Sequence, residues 1–254
     1  QTTTDIKNVK KEPEQIITDE PVSIIIAAYK AQNFIEECLN SISRQDYFIT
    51  NDKYEILIGV DGCYDTLYQL MKIRYKYKNL RIFMMKDNKG AYVTTNTLLN
   101  LVKYENIIIF GADDVMKSIM VSEIMNYSTT YDIVRFGFDD FSDNIRNITR
   151  SNYMRAVGAI FYKKHVIDEA GGYRDWKCSA DFEFLRRVES RYKIKEINKA
   201  LFFRRDHSDS LSNRSDTGLN TVLRAEYNRQ VRRYSKDEKI KIERIINEHI
   251  EIQN

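Results

Sequence analysis

The sequence predicts an α/β fold with a mostly parallel central sheet that is flanked by helices. Short apolar runs alternate with amphipathic helical segments over about the first 110 residues, and short connections join them. One of these runs, Ile107–Phe110, is apolar at every position, as a strand buried on both faces of a parallel sheet must be. It ends close to two adjacent acids, Asp113 and Asp114. Ligands of such sheets bind outside the carboxyl ends of the strands, so a functional site is predicted there.

Composition limits the class of protein. A chain of 254 residues with 43% hydrophobic residues can bury the core of one large domain or two small ones. Only 2 Pro and 9 Gly argue against a collagen-like or disordered chain. The net charge of +3, from 40 basic and 37 acidic residues, gives no sign of a nucleic-acid partner or of an anionic membrane.

The cysteines and the apolar runs indicate a location. Cys38, Cys63 and Cys178 lack the paired spacing of a zinc site or of a disulfide framework. We therefore expect a reducing compartment, the cytoplasm, with peripheral contact to a membrane as the alternative. No apolar run approaches the roughly 18 residues of a membrane span, and the amino terminus is too polar for a signal peptide. The chain begins with Gln1, which fits a segment of a longer protein.

The first half contains four predicted strands. Each is rich in β-branched or large apolar residues and is bounded by polar loops. They are Val22–Ala28, Tyr54–Val60, Leu80–Met85 and the run that ends at Phe110. Predicted helices follow the first three strands. Asn33 with Glu36 resembles a capping box for the first helix, Asp65 is the predicted cap of the second, and the third begins near Tyr92. Leu67, Leu70 and Met71 are the predicted buried side of the second helix.

The second half predicts a mixed sheet with inserted helices. Its predicted strands cover residues 131–138, 157–162 and 193–203, and its helices cover residues 118–128, residues 164–170 and a segment capped by Ser179. From Leu219 onward the pattern predicts two charged helices, the last of which carries the isoleucines from Ile240 to Ile250. These helices would pack on the core, pair two subunits in a homodimer or lie on a membrane surface.

The domain organisation follows from these patterns. Residues 1–20 are polar without a period and predict an N-terminal arm. Residues 21–215 form the predicted main domain, which has one half over 21–116 and another over 117–215. Residues 216–254 form the predicted helical extension.

Six motifs stand at predicted strand ends or helix starts. In chain order they are Ile26-Ala27-Ala28-Tyr29, Val60-Asp61-Gly62-Cys63, Asn88-Lys89-Gly90, Gly111-Ala112-Asp113-Asp114, Gly171-Gly172-Tyr173 leading to Ala180-Asp181, and Arg204-Arg205-Asp206-His207. In this order they resemble family 2 glycosyltransferases of the GT-A fold, a nucleotide-sugar-dependent and usually inverting class. The resemblance covers the chain from Pro21 to Ser212. It implies a nucleotide-binding half over residues 21–116 and an acceptor and catalytic half over residues 117–215.

The resemblance implies a site for a UDP-sugar donor. Tyr29 would stack on the base, because an aromatic face suits a planar ring, and Asp61 would accept the imide N–H of uracil. The implied nucleotide-sugar-binding residues are Ala27, Ala28, Tyr29, Asp61, Asn88, Lys89, Gly90, Ala112, Asp113, Asp114 and Arg204. Arg204 or Arg205 would meet a phosphate through two parallel hydrogen bonds. Taken singly, Tyr29 also suits a core aromatic, Asp61 a turn and Lys89 a solvated surface residue.

The resemblance also implies the reacting groups. Asp113 and His207 would contact Mn²⁺ or Mg²⁺, which needs only one or two protein ligands when it is bound with a diphosphate. Asp181 would take the proton of a hydroxyl acceptor on a glycan, a lipid or a protein. Taken singly, Asp181 is also a favourable acid in the first turn of a helix.

Three departures from the family pattern leave alternatives open. Thr95, Gly111 and Ala180 stand where the family has Arg, an acid and Glu. They motivate a second reading, a nucleotide-sugar-binding module without catalysis. A third, a sugar nucleotidyltransferase, would need a glycine-rich phosphate loop near the first strand, and Ala27-Ala28-Tyr29-Lys30 is not one.

Overall fold

One mixed sheet organises the structure. The computed structural model describes residues 18–142, 144–152, 156–234 and 240–253, and the strands within these ranges belong to a single ten-stranded sheet. The strands are β1 (Val22–Ala28), β2 (Tyr54–Val60), β3 (Leu80–Met85), β4 (Asn106–Gly111), β5 (Val115–Met116), β6 (Ile133–Phe141), β7 (Ile148–Asn152), β8 (Ile160–Lys163), β9 (Ile194–Arg205) and β10 (His249–Glu251). The helices are α1 (Ile35–Ser43), α2 (Tyr47–Thr50), α3 (Tyr64–Ile73), α4 (Ala91–Leu99), α5 (Met120–Met125), α6 (Lys164–Ala170), α7 (Ala180–Val188) and α8 (Val222–Val231).

The parallel half has the strand order β3-β2-β1-β4, and each neighbouring pair is parallel. In the register of these pairs, Ala27 lies opposite Gly111 on β4, and Ala28 lies opposite Val60 on β2. The carboxyl ends of β1, β2 and β4 therefore reach the same edge of the sheet. This arrangement confirms the predicted parallel sheet and places three of the six motifs side by side.

The other half is mixed, as predicted. Strand β8 pairs antiparallel with β4, and β6 pairs antiparallel with β8. Strand β9 then runs parallel to β6, with Arg204 opposite Asp140 and Arg205 opposite Phe141. The short strand β5 pairs antiparallel with β9 through Val115 and Phe203. Because β5 follows the acid pair directly, this pairing brings the end of β9 to the end of β4.

Two apolar cores cover the two faces of the sheet. The alternation of a strand sends Ile24 and Ile26 of β1 into one core and Ile25 into the other. Helices α1, α3 and α5 contribute to the first core, and α4, α6 and α7 contribute to the second. The continuous apolar strands predicted from the sequence are thus explained by burial on both faces.

Two predicted helix caps are wrong. Helix α1 begins at Ile35 after Phe34, and α3 begins at Tyr64 after Cys63, with no side-chain hydrogen bond at either cap. Asn33 therefore lies in the turn before α1, and Asp65 lies inside the first turn of α3. The buried residues of α3 are Thr66, Leu70 and Ile73, whereas Met71 is 41% exposed.

The predicted last helix is also wrong. Helix α8 confirms the first helical segment after Leu219, but residues 240–253 contain no helix and instead form an extended segment that ends in β10. Strand β10 pairs antiparallel with β3, with Ile250 opposite Met84. An open sheet edge carries unpaired N–H and C=O groups, and this segment satisfies those of β3. The β-branched isoleucines suit a strand as well as a helix stripe.

The N-terminal arm, the domain boundaries and the cysteines were also predicted from the sequence. Residues 1–17 of the predicted arm, which covers residues 1–20, lie outside the described residues. The domain boundaries at residues 20 and 215 stay predictions, as does a homodimer through the C-terminal segment. The three cysteines are buried and free, in agreement with the absence of a disulfide framework. Within the described ranges no helix is long and apolar enough to cross a membrane.

Candidate active site

Asp61 fixes the loop that follows β3. Its backbone N–H donates to the carbonyl of Ala28 over 2.9 Å, which joins the ends of β1 and β2. Its Oδ1 accepts from the backbone N–H of Lys89 over 3.0 Å, and its Oδ2 accepts from Gly90 over 2.9 Å. The residue is 2% exposed, and burial raises its pKa although these hydrogen bonds oppose the rise. Asp61 therefore holds the loop of residues 88–90 against the sheet edge.

Gly62 allows the loop to approach. Its φ is 64°, and a Cβ on it would lie 2.7 Å from the backbone nitrogen of Asn88, closer than a side chain tolerates. Asn88 and Lys89 are exposed on the outer side of the loop. Tyr29 follows β1 and is 43% exposed, with Nζ of Lys30 5.5 Å from its ring centre. An open aromatic face and a polar loop thus flank the ends of β1 and β2.

The acid pair lies over the end of β4. A Cβ on Gly111 would lie 2.8 Å from Oδ2 of Asp114 and 3.0 Å from Oδ1 of Asp113. Both carboxylates therefore occupy the space that a side chain at Gly111 would need. Burial, and then the negative charge of Asp113, raise the pKa of Asp114 well above its usual range. Gly111 thus stands where the family has an acid, and in the structure the carboxylates of Asp113 and Asp114 would have to shift to admit a side chain there.

Arg205 supports the acid pair from β9. Its backbone N–H donates to Oδ1 of Asp114 over 3.0 Å, and its Nε donates to the carbonyl of Asp113 over 3.0 Å. The guanidinium also pairs with the carboxylate of Glu37 on α1. It lies 4.8 Å from the ring of Phe34, and the residue is only 8% exposed. Sequence reasoning offered Arg205 only as one of two candidate phosphate ligands, and the structure makes it a support of the acid loop.

Arg204 points to the other face of the sheet. Successive side chains of a strand alternate between faces, and Nε of Arg204 donates to Oδ1 of Asp140 over 2.7 Å. Its guanidinium lies 4.2 Å from the ring centre of Phe138. The predicted contact of Arg204 with phosphate stays a prediction, and this pairing with Asp140 is its contact in the structure.

His207 meets Asp113, as the predicted metal pair requires. Nε2 of His207 lies 2.9 Å from Oδ2 of Asp113, and its ring centre lies 5.0 Å from that of Phe34. No group of three or more His, Cys, Asp or Glu side chains suited to a metal ion occurs in the described residues. One carboxylate and one imidazole form a donor set that fits a divalent ion shared with a diphosphate, because such an ion keeps most of its oxygen ligands from the substrate and water.

Asp181 lies in the first turn of α7, and one of its carboxylate oxygens accepts two hydrogen bonds. Oδ1 accepts from the hydroxyl of Tyr92 over 3.0 Å and from the backbone N–H of Phe182 over 2.9 Å. Oδ2 faces Gly158, where a Cβ would lie 3.8 Å from it. Tyr92 follows Gly90 by two residues. The same segment therefore contacts Asp61 at its start and Asp181 at Tyr92.

A buried ion cluster holds α7 in place. Glu183 is fully buried, and its Oε1 accepts from Nε of Arg174 over 3.0 Å and from Nε of Arg187 over 2.9 Å. The hydroxyl of Tyr234 donates to the same oxygen over 2.9 Å. Arg187 also donates to the carbonyl of Gly172. This cluster was not predicted from the sequence. The feature that could have indicated it is the pair Glu183 and Arg187, an acid and a base four residues apart on one side of a helix.

Asn96 of α4 holds the turn at Gly172 and Tyr173, which precedes α7. Its Nδ2 donates to the carbonyl of Tyr173 over 2.8 Å, and its Oδ1 accepts from the N–H of Tyr173 over 2.9 Å. A Cβ on Gly172 would lie 2.6 Å from Oδ1 of Asn96. These hydrogen bonds join helix α4 to the turn before α7. They thereby set the distance between the loop of residues 88–90 and Asp181.

Known proteins resemble this chain in sequence and in fold. The model of glycosyl transferase family 2 matches residues 23–232. The chain belongs to this family. Its fold resembles TarS 1–349 of S. aureus in complex with UDP-GlcNAc, with a TM-score of 0.62 and 18% identity over 75% of this chain and 60% of that one. It also resembles the mannosyltransferase PcManGT from Pyrobaculum calidifontis in complex with GDP-Man and Mn²⁺, with a TM-score of 0.66 and 15% identity over 86% of this chain and 66% of that one.

These comparisons confirm the predicted family and its GT-A fold. Curated relatives match over shorter segments. An uncharacterised glycosyltransferase of Haemophilus influenzae is 32% identical over 107 residues, which cover 42% of this chain and 32% of that protein. Glycosyltransferase GlyA of Streptococcus pneumoniae is 22% identical over 152 residues, which cover 59% of this chain and 20% of that protein. The chain thus matches a third or less of the length of these relatives, and the roles of the individual site residues stay predictions.

Proposed function

We propose that this family 2 protein transfers a sugar from a UDP-sugar to a hydroxyl acceptor with inversion at the anomeric carbon. One observation carries the proposal. Asp61, the Asp113–His207 pair and Asp181 come from distant parts of the chain, and their contacts meet at one sheet edge. Ala28 bonds to Asp61, Ala27 lies opposite the Gly111 end of β4, and Tyr92 links the loop bound by Asp61 to Asp181.

The nucleotide would lie against the ends of β1 and β2. The exposed ring of Tyr29 supplies a stacking surface for a base, beside the small residues Ala27 and Ala28. Each oxygen of Asp61 accepts one backbone hydrogen bond and retains a second lone pair. That free capacity supports acceptance of the uracil imide N–H. Lys89, exposed on the loop, supplies positive charge for the diphosphate.

A divalent cation, Mn²⁺ or Mg²⁺, would be held by Asp113 and His207. When it is bound, it neutralises the negative charge that develops on the departing nucleoside diphosphate. Arg205 supports the loop that carries Asp113, through the backbone carbonyl of Asp113 and the side chain of Asp114. Asp114 thereby ties the loop after β4 to β9. Its predicted contact with the nucleotide sugar would be a second role.

Asp181 would act as the general base. Its Oδ1 is occupied by Tyr92 and by the N–H of Phe182, so Oδ2 is the oxygen that takes the proton of the acceptor hydroxyl. The acceptor oxygen then forms a bond to the anomeric carbon while the bond from that carbon to the phosphate oxygen breaks on the opposite face. The bonding electron pair leaves with the nucleoside diphosphate. Attack opposite to the leaving group gives inversion.

Binding and turnover test the proposal separately. Titration of UDP into the protein with manganese measures binding, and release of UDP from a panel of UDP-sugars measures turnover. Asp181→Asn should retain UDP binding and lose about 10²–10⁴-fold in turnover, the usual contribution of a general base. Asp175→Asn, which changes an exposed acid of the same segment, is the matched control. Absence of binding for every nucleoside diphosphate would refute the proposal.

The alternative is a binding module without catalysis, which the departures from the family pattern at Thr95, Gly111 and Ala180 support. UDP binding by the wild type without turnover of any donor would support the module. Replacement of a metal ligand gives an independent measure. His207→Ala should raise the manganese concentration for half-maximal UDP affinity by about 10–100-fold, the scale of a lost metal-site interaction.

A further inference from the structure

Helix α3 carries a row of large exposed side chains on its outer side. The row consists of Tyr64, Tyr68, Met71 and Tyr75, which are 41–80% exposed. Spacings of four, three and four residues place these side chains on one side of a helix. The 3₁₀ turn Arg74–Lys76, which continues α3, carries the last of them. On the opposite side of the helix Leu70 and Ile73 are buried. The four side chains, the α3 stripe, therefore face solvent.

Positive charge surrounds the α3 stripe. Residues 64–79 contain one acid, Asp65, and four bases, which are Lys72, Arg74, Lys76 and Lys78. This excess equals the net charge of +3 that the whole chain carries, so the balanced overall composition conceals a basic segment. Glu36 of α1 offsets part of the excess through an ion pair with Lys76 over 2.6 Å. The segment remains positive overall.

Two of these bases flank the α3 stripe on opposite sides. Lys72 follows Met71 and Arg74 precedes Tyr75, so the helical rotation sends them to either side of the row. Nζ of Lys72 lies 4.0 Å from the ring centre of Tyr68. Arg74 donates to the backbone carbonyls of Ile252 and Gln253, which are uncharged and leave its positive charge in place. The aromatic row thus has a cation on each flank.

This combination matches the surface of an anionic bilayer. A tyrosine ring has an apolar body and a polar tip, and tyrosines are enriched at the interface between membrane and water. A basic amphipathic helix lies in that interface, and its cations meet the anionic headgroups. A protein partner is less favoured, because protein interfaces are enriched in Tyr and Met but depleted in Lys, and three of the four bases here are lysines.

We propose that the α3 stripe and its flanking bases dock this protein on an anionic lipid bilayer, with the tyrosine rings at the depth of the headgroups. The inference is independent of the proposed function, because it uses none of the residues assigned to the sugar transfer. Helix α3 begins at Tyr64, directly after the Asp61-Gly62-Cys63 segment at the end of β2. Docking would therefore place the sheet edge that carries Asp61 beside the lipid surface.

Vesicle cosedimentation tests the docking surface. The probes are vesicles of phosphatidylcholine mixed with phosphatidylglycerol, and vesicles of phosphatidylcholine alone. The wild type should bind the neutral vesicles at least about 5-fold more weakly than the anionic ones, and added sodium chloride should weaken the binding, because salt screens surface charges. Lys72→Gln should lower the partition into anionic vesicles about 5-fold, the effect of one lysine near an anionic surface.

Replacement of two rings tests the aromatic part. The double variant Tyr68→Ser/Tyr75→Ser should lower the partition into anionic vesicles at least about 10-fold, because apolar area is lost from the interface. Val222→Ser, at a residue of α8 that is 87% exposed, is the matched control for the rings. Lys177→Gln, at an exposed residue before α7, is the control for the charge. Both controls should bind as the wild type does.

The proposal is overturned if the wild type does not bind anionic vesicles, or if the stripe variants bind them as well as the controls do. A dimer of the wild type in analytical ultracentrifugation that Tyr68→Ser/Tyr75→Ser dissociates would assign the stripe to a second copy of the chain and equally reject the membrane surface. Should the double variant melt at a lower temperature than the wild type, Lys72→Gln decides, since it removes only an exposed charge. UDP titration reports on the proposed function separately, because lost UDP binding would leave the vesicle result unaffected.

Discussion

The hydroxyl of Tyr92 donates a hydrogen bond to Oδ1 of Asp181 over 3.0 Å. Burial, and then the negative charge of Asp181, raise the pKa of Tyr92 well above its usual range. The phenol therefore keeps its proton at neutral pH and remains a donor. Tyr92 and the N–H of Phe182 thus both donate to Oδ1 of Asp181, and Oδ2 is the oxygen left for the proposed proton transfer. Because Tyr92 lies in the first turn of α4, directly after the loop of residues 88–90, this loop and Asp181 are joined through one short segment.

Removal of this hydroxyl should lower turnover. Tyr92→Phe keeps the ring and deletes the donor, so Oδ1 of Asp181 loses the hydrogen bond that orients the carboxylate. The rate of UDP-sugar hydrolysis at neutral pH should fall about 10-fold, the effect of one lost hydrogen bond. UDP affinity should stay constant. Tyr68→Phe, at a residue that is 65% exposed, is the matched control. Unchanged turnover in Tyr92→Phe would show that Tyr92 does not position Asp181.

Restoring the missing acid of the family motif should harm this protein. Gly111→Asp adds a Cβ into space that Asp113 and Asp114 occupy, at 3.0 and 2.8 Å from their oxygens. The carboxylates must move, and misplacement of about 1 Å can cost about 10²-fold in rate. Gly111→Ala adds the same Cβ without the acid and should lose a similar amount. UDP-sugar hydrolysis by both variants gives the measure, and a gain of activity in Gly111→Asp would contradict the steric account.

Cys63 should be the reactive thiol. Burial raises the pKa of Cys63, but hydrogen bonds from Thr66 and from backbone N–H groups outweigh burial and bring that pKa below its usual value. Burial, with the charges of Asp114 and Asp113, instead raises the pKa of Cys38 well above its usual value. The thiolate is the species that reacts. Timed alkylation with iodoacetamide from pH 6 to 9, followed by peptide mass spectrometry, should show Cys63 reacting first.

The pH dependence of this labelling has a definite sign. A lowered pKa gives more thiolate at neutral pH, so labelling of Cys63 should reach half its maximal rate below about 8.5, the value of a free thiol. Cys63→Ser should abolish the early label. Faster labelling of Cys38 or Cys178 in the native protein would contradict the assignment, because burial raises the pKa of Cys178 as well.

Neutralising Glu183 should destabilise the fold. Glu183→Gln leaves Arg174 and Arg187 without their shared carboxylate in a site with no solvent access to Glu183. Removal of one partner from a buried ion pair costs about 3–5 kcal/mol, which in a chain of this size lowers Tm by about 10 °C. Glu189→Gln breaks a half-buried pair with Arg186 at the end of the same helix and should cost under about 1 kcal/mol. Equal shifts in thermal melts followed by circular dichroism would argue against the cluster as an anchor.

Much of the parallel half was predictable because its signals are local. A buried parallel strand needs an unbroken apolar run, and Val22–Ala28 and Asn106–Gly111 both show one. Strand ends in such a sheet meet at one edge, so motifs that end strands converge without further information. The helix boundaries were less secure, because Asn33 and Asp65 suit a cap, a turn or a first helical turn equally well.

The C-terminal segment was not predictable in the same way. Its isoleucines fit a helical stripe, and β10 forms only because β3 offers an unpaired edge. Residue Ile250 is far from Met84 in sequence, so no local pattern records that pairing. The same holds for Arg204 and Arg205. Which arginine meets the acid pair depends on the register of β9 beside β6 and β5.

By itself the sequence determined the fold class, the family and the motifs that end the parallel strands, because strand burial and motif order are properties of the chain alone. Tertiary structure decided which atoms those residues use. It directed both oxygens of Asp61 to the loop of residues 88–90 and placed Tyr92 on Asp181. Hydrogen-bond partners and cavities depend on side chains that meet across long sequence distances, and only the packing of the whole chain fixes those meetings.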